Sequence, residues 1–387
     1  MLRFATRAGR WPLALTLAAL GALTACTDQP TPAEPREPPV ADDGGAARQD
    51  PALGNPTHWA DGYLRADDPT QAFYPVSPFN AFNRAARFGG AVTITKPAGT
   101  TGRYVATFPN LSSYLGSRRT VLVSGFSGDF NAAEDTYCKP AGGYLVSDKV
   151  EVRCFKVSTG LPTNARFNLL LTRNYSDLAF AYAHRDTSTN YSPESRGAWN
   201  PVGTCTVVRS GVGQYRVTFN NLGTRLPPDV LGHVQVSAVG TSNAYCSPVN
   251  WYTNGTPNLN VDVRCFATPT GAPVDRRFTV LYALPANHLA YAWADKPSVA
   301  SYSPLAAYSS HPLGFPITIT RSGVGSYRVD WPYLNQQLFD GGDAQVTAYG
   351  GNTVCKISSY SSTGALVQCF AANGTPADSR FTVLRAS

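Results

Sequence analysis

The amino-acid sequence predicts an all-β chain: three tandem antiparallel β-sandwich domains behind a signal peptide and a disordered linker. Three observations carry that expectation. The phrase Ser210-Gly211-Val212-Gly213-Gln214-Tyr215-Arg216-Val217 returns as Ser322-Gly323-Val324-Gly325-Ser326-Tyr327-Arg328-Val329, and more loosely as Gly102-Arg103-Tyr104-Val105. Around each copy apolar and polar residues alternate with period two, the mark of a strand with one buried face. Cysteines recur in pairs at matching places, Cys138 with Cys154, Cys246 with Cys265 and Cys355 with Cys369.

At the N-terminus Arg3, Arg7 and Arg10 lead into the apolar run Leu13 to Leu23, and Leu23-Thr24-Ala25-Cys26 closes it. A basic start, a short apolar stretch and small residues before a cut site predict a secretory signal peptide over residues 1–25, its apolar run too short to span a bilayer. Leu-Thr-Ala-Cys also resembles the lipobox of bacterial lipoproteins. The resemblance implies that Cys26 becomes the lipidated first residue of the mature chain, held to the membrane by several acyl chains. Thr27 in place of Asp resembles the default pattern for export to the outer membrane where a cell has two.

Residues 26–57 continue with Pro30, Pro32, Pro35, Pro38, Pro39, Pro51 and Pro56 and almost no large apolar side chains. Such a stretch cannot bury enough surface to offset its ordering entropy, so it is expected to be a disordered stalk that acts as a spacer. Asp28, Glu34, Glu37, Asp42, Asp43 and Asp50 against Arg36 and Arg48 give it −4. The leader carries +3, so of the formal net +7 residues 58–387 hold +8 (7 − 3 + 4). A basic folded part favours acidic surfaces such as anionic polysaccharide or lipid headgroups. The arginines are scattered and the chain is exported, which opposes nucleic-acid binding.

Tyr104, Tyr215 and Tyr327 lie 111 and 112 residues apart (215 − 104; 327 − 215). That period is too long for a solenoid repeat and long enough for a core, which sets expected domains at 58–174, 175–284 and 285–387. In Tyr215-Arg216-Val217-Thr218-Phe219 the odd positions are apolar, and the strand before it is joined through Ser-Gly-Val-Gly, a hairpin with a glycine-bearing loop. Gly-Val-Gly is no phosphate loop, because no helix follows and the remaining glycine and Lys are missing. Further strands are expected at Ala179 to Ala183, Val234 to Val239, around Cys246, Leu259 to Phe266 and Arg277 to Tyr282, the spacing of an antiparallel sandwich. No segment longer than a turn has helical periodicity outside the leader. The repeats resemble the β-sandwich modules common in bacterial surface proteins.

Each cysteine pair, 16, 19 and 14 residues apart, is expected to form one core-side disulfide between neighbouring strands, because the second cysteine shares a face with the valines of its strand. His58, His184, His233, His288 and His311 do not recur beside these cysteines, so no zinc site is expected. Cys205 occupies the place of Ile317 and Val92 and reads as a small buried hydrophobe or, alternatively, a reactive thiol.

Gly271-Ala272-Pro273-Val274-Asp275-Arg276-Arg277-Phe278 matches Gly374-Thr375-Pro376-Ala377-Asp378-Ser379-Arg380-Phe381 and Gly160-Leu161-Pro162-Thr163-Asn164-Ala165-Arg166-Phe167. Asn164 removes the carboxylate but keeps a capping oxygen, which points to a turn rather than to chemistry. Features shared by all copies serve the shared fold, so a specialised site belongs where the copies differ. Three such places stand out: an acidic loop with Asp129, Glu134 and Asp135, without the spacing of a calcium loop; the insertion Phe339-Asp340-Gly341-Gly342-Asp343; and the aromatics Trp199, Trp251, Tyr252 and Trp293, either a sugar-binding platform or junction packing. No Gly-x-Ser-x-Gly elbow or His-Glu-x-x-His motif occurs. The expected function is that of a membrane-anchored exported lipoprotein, a binding or envelope-structural module with no cofactor or metal, whose partners are the membrane and an anionic polysaccharide or envelope protein. The alternative is a carbohydrate-active enzyme or accessory carbohydrate-binding protein.

Overall fold

Period-two strands with one apolar face bury that face by stacking sheets, and each copy of the repeat does so. The computed structural model describes residues 59–85, 90–116, 118–128, 134–334 and 342–386; the leader, the stalk and Cys26 lie outside them. In the second repeat the strand Arg277–Ala283 is flanked by Leu178–Ala183 and His233–Val239. Facing it is a sheet in the order Asn190–Tyr191, Cys205–Gly211, Gln214–Phe219, Leu259–Ala267, Ala244–Tyr252. The first repeat places Arg166–Arg173 between Gly62–Ala66 and Arg119–Phe126, and the third places Arg380–Ala386 between Leu289–Ala294 and Asp343–Tyr349, each opposite five strands of its own repeat; those of the third join the first repeat's Arg119–Phe126 through a parallel bridge, Ile357 to Phe126, in one nine-stranded sheet. All pairings within a repeat are antiparallel. Gln214–Phe219 buries Tyr215, Val217 and Phe219 and turns Gln214 and Arg216 outward, as its alternation requires.

The three expected disulfides are present. Cys138–Cys154, Cys246–Cys265 and Cys355–Cys369 are directly opposite residues of adjacent strands, 4.0–4.1 Å apart at Cα, and each lies inside its own repeat's core. They mark an oxidising, non-cytoplasmic setting. Cys205 is a buried free thiol beside Val207, with Val92 and Ile317 buried in its place elsewhere. Burial pushes its pKa up to about 12, which suits a hydrophobe rather than a nucleophile. One short α-helix, Leu111–Leu115, was not anticipated from periodicity. The Asp148 carboxylate, distant in sequence, accepts the N–H groups of Asn110 at 2.9 Å and Ser112 at 2.6 Å and so supports its first turn. Among the described residues no helix is long and apolar enough to cross a membrane.

The repeats do not follow one another as separate beads: the described residues from Trp59 onward fall in a single unit by their contacts. The docking is cyclic. Ser127 and Gly128, just past the strand Arg119–Phe126 of the first repeat, donate N–H bonds to Ile357 and Ser358 of the third. Gly350 of the third donates to Pro248 of the second, and Gly240 of the second donates to Pro140 of the first. Donors and acceptors occupy the same places in each repeat, so three docking events close a pseudo-three-fold cycle. Along its axis a hydroxyl from each repeat accepts the N–H of the equivalent valine of a neighbour: Val346 to Ser124 at 3.0 Å, Val123 to Ser237 at 3.3 Å, and Val236 to Thr347 at 3.3 Å. On one side of this ring Leu170, Leu281 and Leu384 meet with Tyr63, Tyr291 and Trp59; a second inter-repeat cluster gathers Tyr137, Phe155, Tyr245, Phe266 and Val354.

Candidate functional site

The signature shared by the copies is a clamp on a hairpin. Gly213 has φ of 63°, and a Cβ there would stand 2.6 Å from the carbonyl oxygen of Cys265, so only glycine fits. Its N–H donates to Asp275, which also takes a two-pronged bond from Arg209 at 2.9 and 2.8 Å and a bond from the Tyr215 hydroxyl at 3.1 Å. That hydroxyl bonds Asp186 O and accepts the N–H of Arg276. The third repeat reproduces the set with Gly325, Asp378, Arg321 and Tyr327. In the first, Asn164 Oδ1 accepts the N–H of Gly102 at 3.0 Å. The Asp or Asn therefore caps a loop across the sheet rather than its own turn. The Arg209 and Arg321 guanidiniums hold Asp275 and Asp378 below the usual carboxylate range, as bonds to an ionised acid do. These acids are structural.

The aromatics singled out from sequence do not share one surface. Trp251 and Trp293 meet edge-to-face at 5.7 Å and close a four-ring cluster with Tyr308 and Tyr349 where the second and third repeats join. Trp251 is 2% exposed and its indole N–H donates to Leu231 O at 2.9 Å. Trp199 stands elsewhere, bonded to Tyr175 O with Arg118 over its ring, and Tyr252 leaves the other face of its strand beneath Arg216. Asp129 and residues 339–341 lie outside the described residues. Asp135 accepts the N–H of Ser158 at 2.7 Å, and among the described residues no group of acids, histidines or cysteines could hold a metal. Asp343 is not in a turn but opens a buried strand, and its desolvated carboxyl is pushed up to about 7.

Where the copies differ most is at their junctions. Register places Arg65, Tyr182 and Trp293 in one equivalent position, Phe126, Val239 and Tyr349 in another, and Tyr360, Trp251 and Gly143 in a third. The second–third junction fills these with rings. The third–first junction instead holds Arg65, its guanidinium 5.4 Å from the Phe126 ring centre and 5.7 Å from that of Tyr360, beside an open cleft of about 280 Å³ lined by Arg65, Asp67, Phe126, Gly128, Arg166 and Ser359. Arg166 is pinned by backbone oxygens, Asp67 O at 2.8 Å and Ser127 O at 2.5 Å, and Arg65 bonds the side chain of Asn80. Among the described residues neither guanidinium pairs with a carboxylate, and Arg65 Nε is buried without a partner. Two preset guanidiniums beside a ring are suited to a planar carboxylate or a phosphate. Local sequence offered no sign of this cleft, whose residues span positions 65 to 359. Compared with known protein families, curated proteins and solved structures, the chain matches none.

Proposed function

We propose that the protein is an exported lipoprotein, anchored through Cys26, whose folded part serves as a binding module for an anionic envelope or extracellular polysaccharide, taken at the cleft between the first and third repeats. The observation that carries the reading is Arg65. At the equivalent place the other repeats carry Tyr182 and Trp293, so the cation belongs to one junction and not to the shared fold. The cleft's lining residues include one carboxylate, Asp67, which favours recognition over glycoside hydrolysis, since that chemistry uses a pair. The folded part's positive charge supports the same class of ligand.

Binding of the chain to uronic-acid polysaccharide, compared with a neutral glucan, tests the cleft. Arg65→Gln is expected to weaken the acidic ligand roughly tenfold or more, the loss of a charge-assisted bond, and unchanged binding would sink the assignment. Palmitate incorporation that persists in Cys26→Ser would remove the anchor.

A further inference from the structure

We propose that the small cavity where the three repeats meet, beside Lys139, is a binding site for a single small inorganic anion of halide size. The cavity measures about 50 Å³, room for one or two water-sized occupants, and its lining includes Lys139 and the axial hydroxyls Ser124, Ser237 and Thr347. Lys139 is 2% exposed, and its Nζ, 5.7 Å from the Phe155 ring centre, has no hydrogen-bond partner among the described residues.

Lys356 occupies the place of Lys139 in the third repeat, where it donates to the carbonyl of Glu134 and feels the charges of Glu134 and Asp135. Equivalent backbone bonds place Ser242 and Asn243 where those two residues stand, and burial, with Arg276 and Arg277 as its charged neighbours, drives the Lys139 pKa down to about 7. A buried ammonium with cationic neighbours and no acid is costly unless an anion joins it.

A second residue on the same cavity has lost its side-chain partner. Ser124 donates to Gln345 Oε1 at 2.7 Å and Thr347 to Gln235 Oε1 at 2.6 Å. By the cycle Ser237 faces the equivalent residue of the first repeat, Leu122, which has no oxygen to offer; its hydroxyl accepts the Val123 N–H at 3.3 Å, and among the described residues it makes no side-chain bond like those of Ser124 and Thr347. Both departures, the acids lost around Lys139 and glutamine replaced by Leu122, fall on residues that line one small cavity. A monatomic anion answers both.

Thermal melting of the full chain in sodium bromide, against sodium gluconate at equal ionic strength and pH 6, tests the site, because gluconate is too large to enter. Bromide is expected to raise the melting temperature saturably by roughly 2 °C or more. The rise should vanish in Lys139→Met and Lys139→Gln and survive in Lys356→Met. Crystals soaked in bromide should show an anomalous peak beside Lys139. No bromide-specific rise, an equal rise in the Lys139 variants, or no peak at that place would each overturn the proposal.

Discussion

The interiors of the three sandwiches and the junctions between them are built by opposite rules. Inside, each repeat carries the same parts in register: a cross-strand disulfide, a glycine at positive φ, a tyrosine hydroxyl and an Asp or Asn that clamp one hairpin. At the junctions the backbone docking bonds and axial hydroxyls recur, but the side chains that fill the space around them differ at equivalent places, arginine against rings, or lysine against serine. The contrast teaches that triplication fixed the interior and left the interfaces to diverge, so stability is shared among the copies while individual chemistry gathers where they touch.

Trp251→Ala gives the hardest blow to this picture. Its ring joins two repeats and its N–H bond is buried, so the loss is expected to cost about 3–5 kcal/mol in denaturant unfolding, as for other large buried aromatics. A cost below about 1 kcal/mol would mean that the junction rings are ornament and the interiors stand alone. Next in size, replacing Cys246 and Cys265 together by alanine should cost about 3 kcal/mol, and removal of Cys138–Cys154 or Cys355–Cys369 should cost nearly the same, because loops of 14 to 19 residues differ little in closure entropy. Unequal costs would break the claim that interiors are interchangeable.

Thr120, His233 and Asp343 occupy one place at the start of a strand next to the axis. Burial lowers His233 from 6.5 to about 3, so between those values the unfolded chain binds more protons and this residue makes stability rise with pH. Burial raises Asp343 from 3.8 to about 7, so between those values the native chain binds more protons and stability falls as pH rises. The two slopes, each about 1.4 kcal/mol per pH unit, oppose one another near pH 5. His233→Gln should therefore expose a falling curve from pH 4 to 6 and Asp343→Asn a rising one; the same curve from both would contradict the assignment. Smallest of all, Asp275→Asn copies the first repeat's Asn164, keeps the acceptor for Gly213 and loses only the half-exposed Arg209 pair. It should leave stability nearly unchanged, whereas Asp275→Ala, which also strands the Gly213 N–H, should cost clearly more.

Most of the interior was legible in the sequence because its determinants are local and repeated. Alternation placed Gln214–Phe219 and Leu259–Ala267, and matched cysteines gave all three disulfides. The cyclic docking was not legible. Gln235, Ser237, Gln345 and Thr347 alternate with apolar residues, yet all are buried, because a neighbouring repeat rather than water covers them. The unbroken run Leu169-Leu170-Leu171 held the clue, since apolar residues on both faces signal a strand covered twice. The buried Asp61, hydrogen-bonded to Tyr175 at 2.6 Å and flanked by Arg84 and Arg173, gave no signal at all, its partners being scattered over more than a hundred positions. The site residues fared likewise: Trp251 and Trp293 do come together, but packed as a junction, and Arg65 stood in no motif.

Calorimetry of the intact chain addresses the closed cycle most directly. Three repeats locked by reciprocal docking should unfold in one transition whose van't Hoff enthalpy equals the calorimetric enthalpy. A van't Hoff enthalpy near a third of the calorimetric value, or three resolved transitions, would show three independent domains and contradict the account.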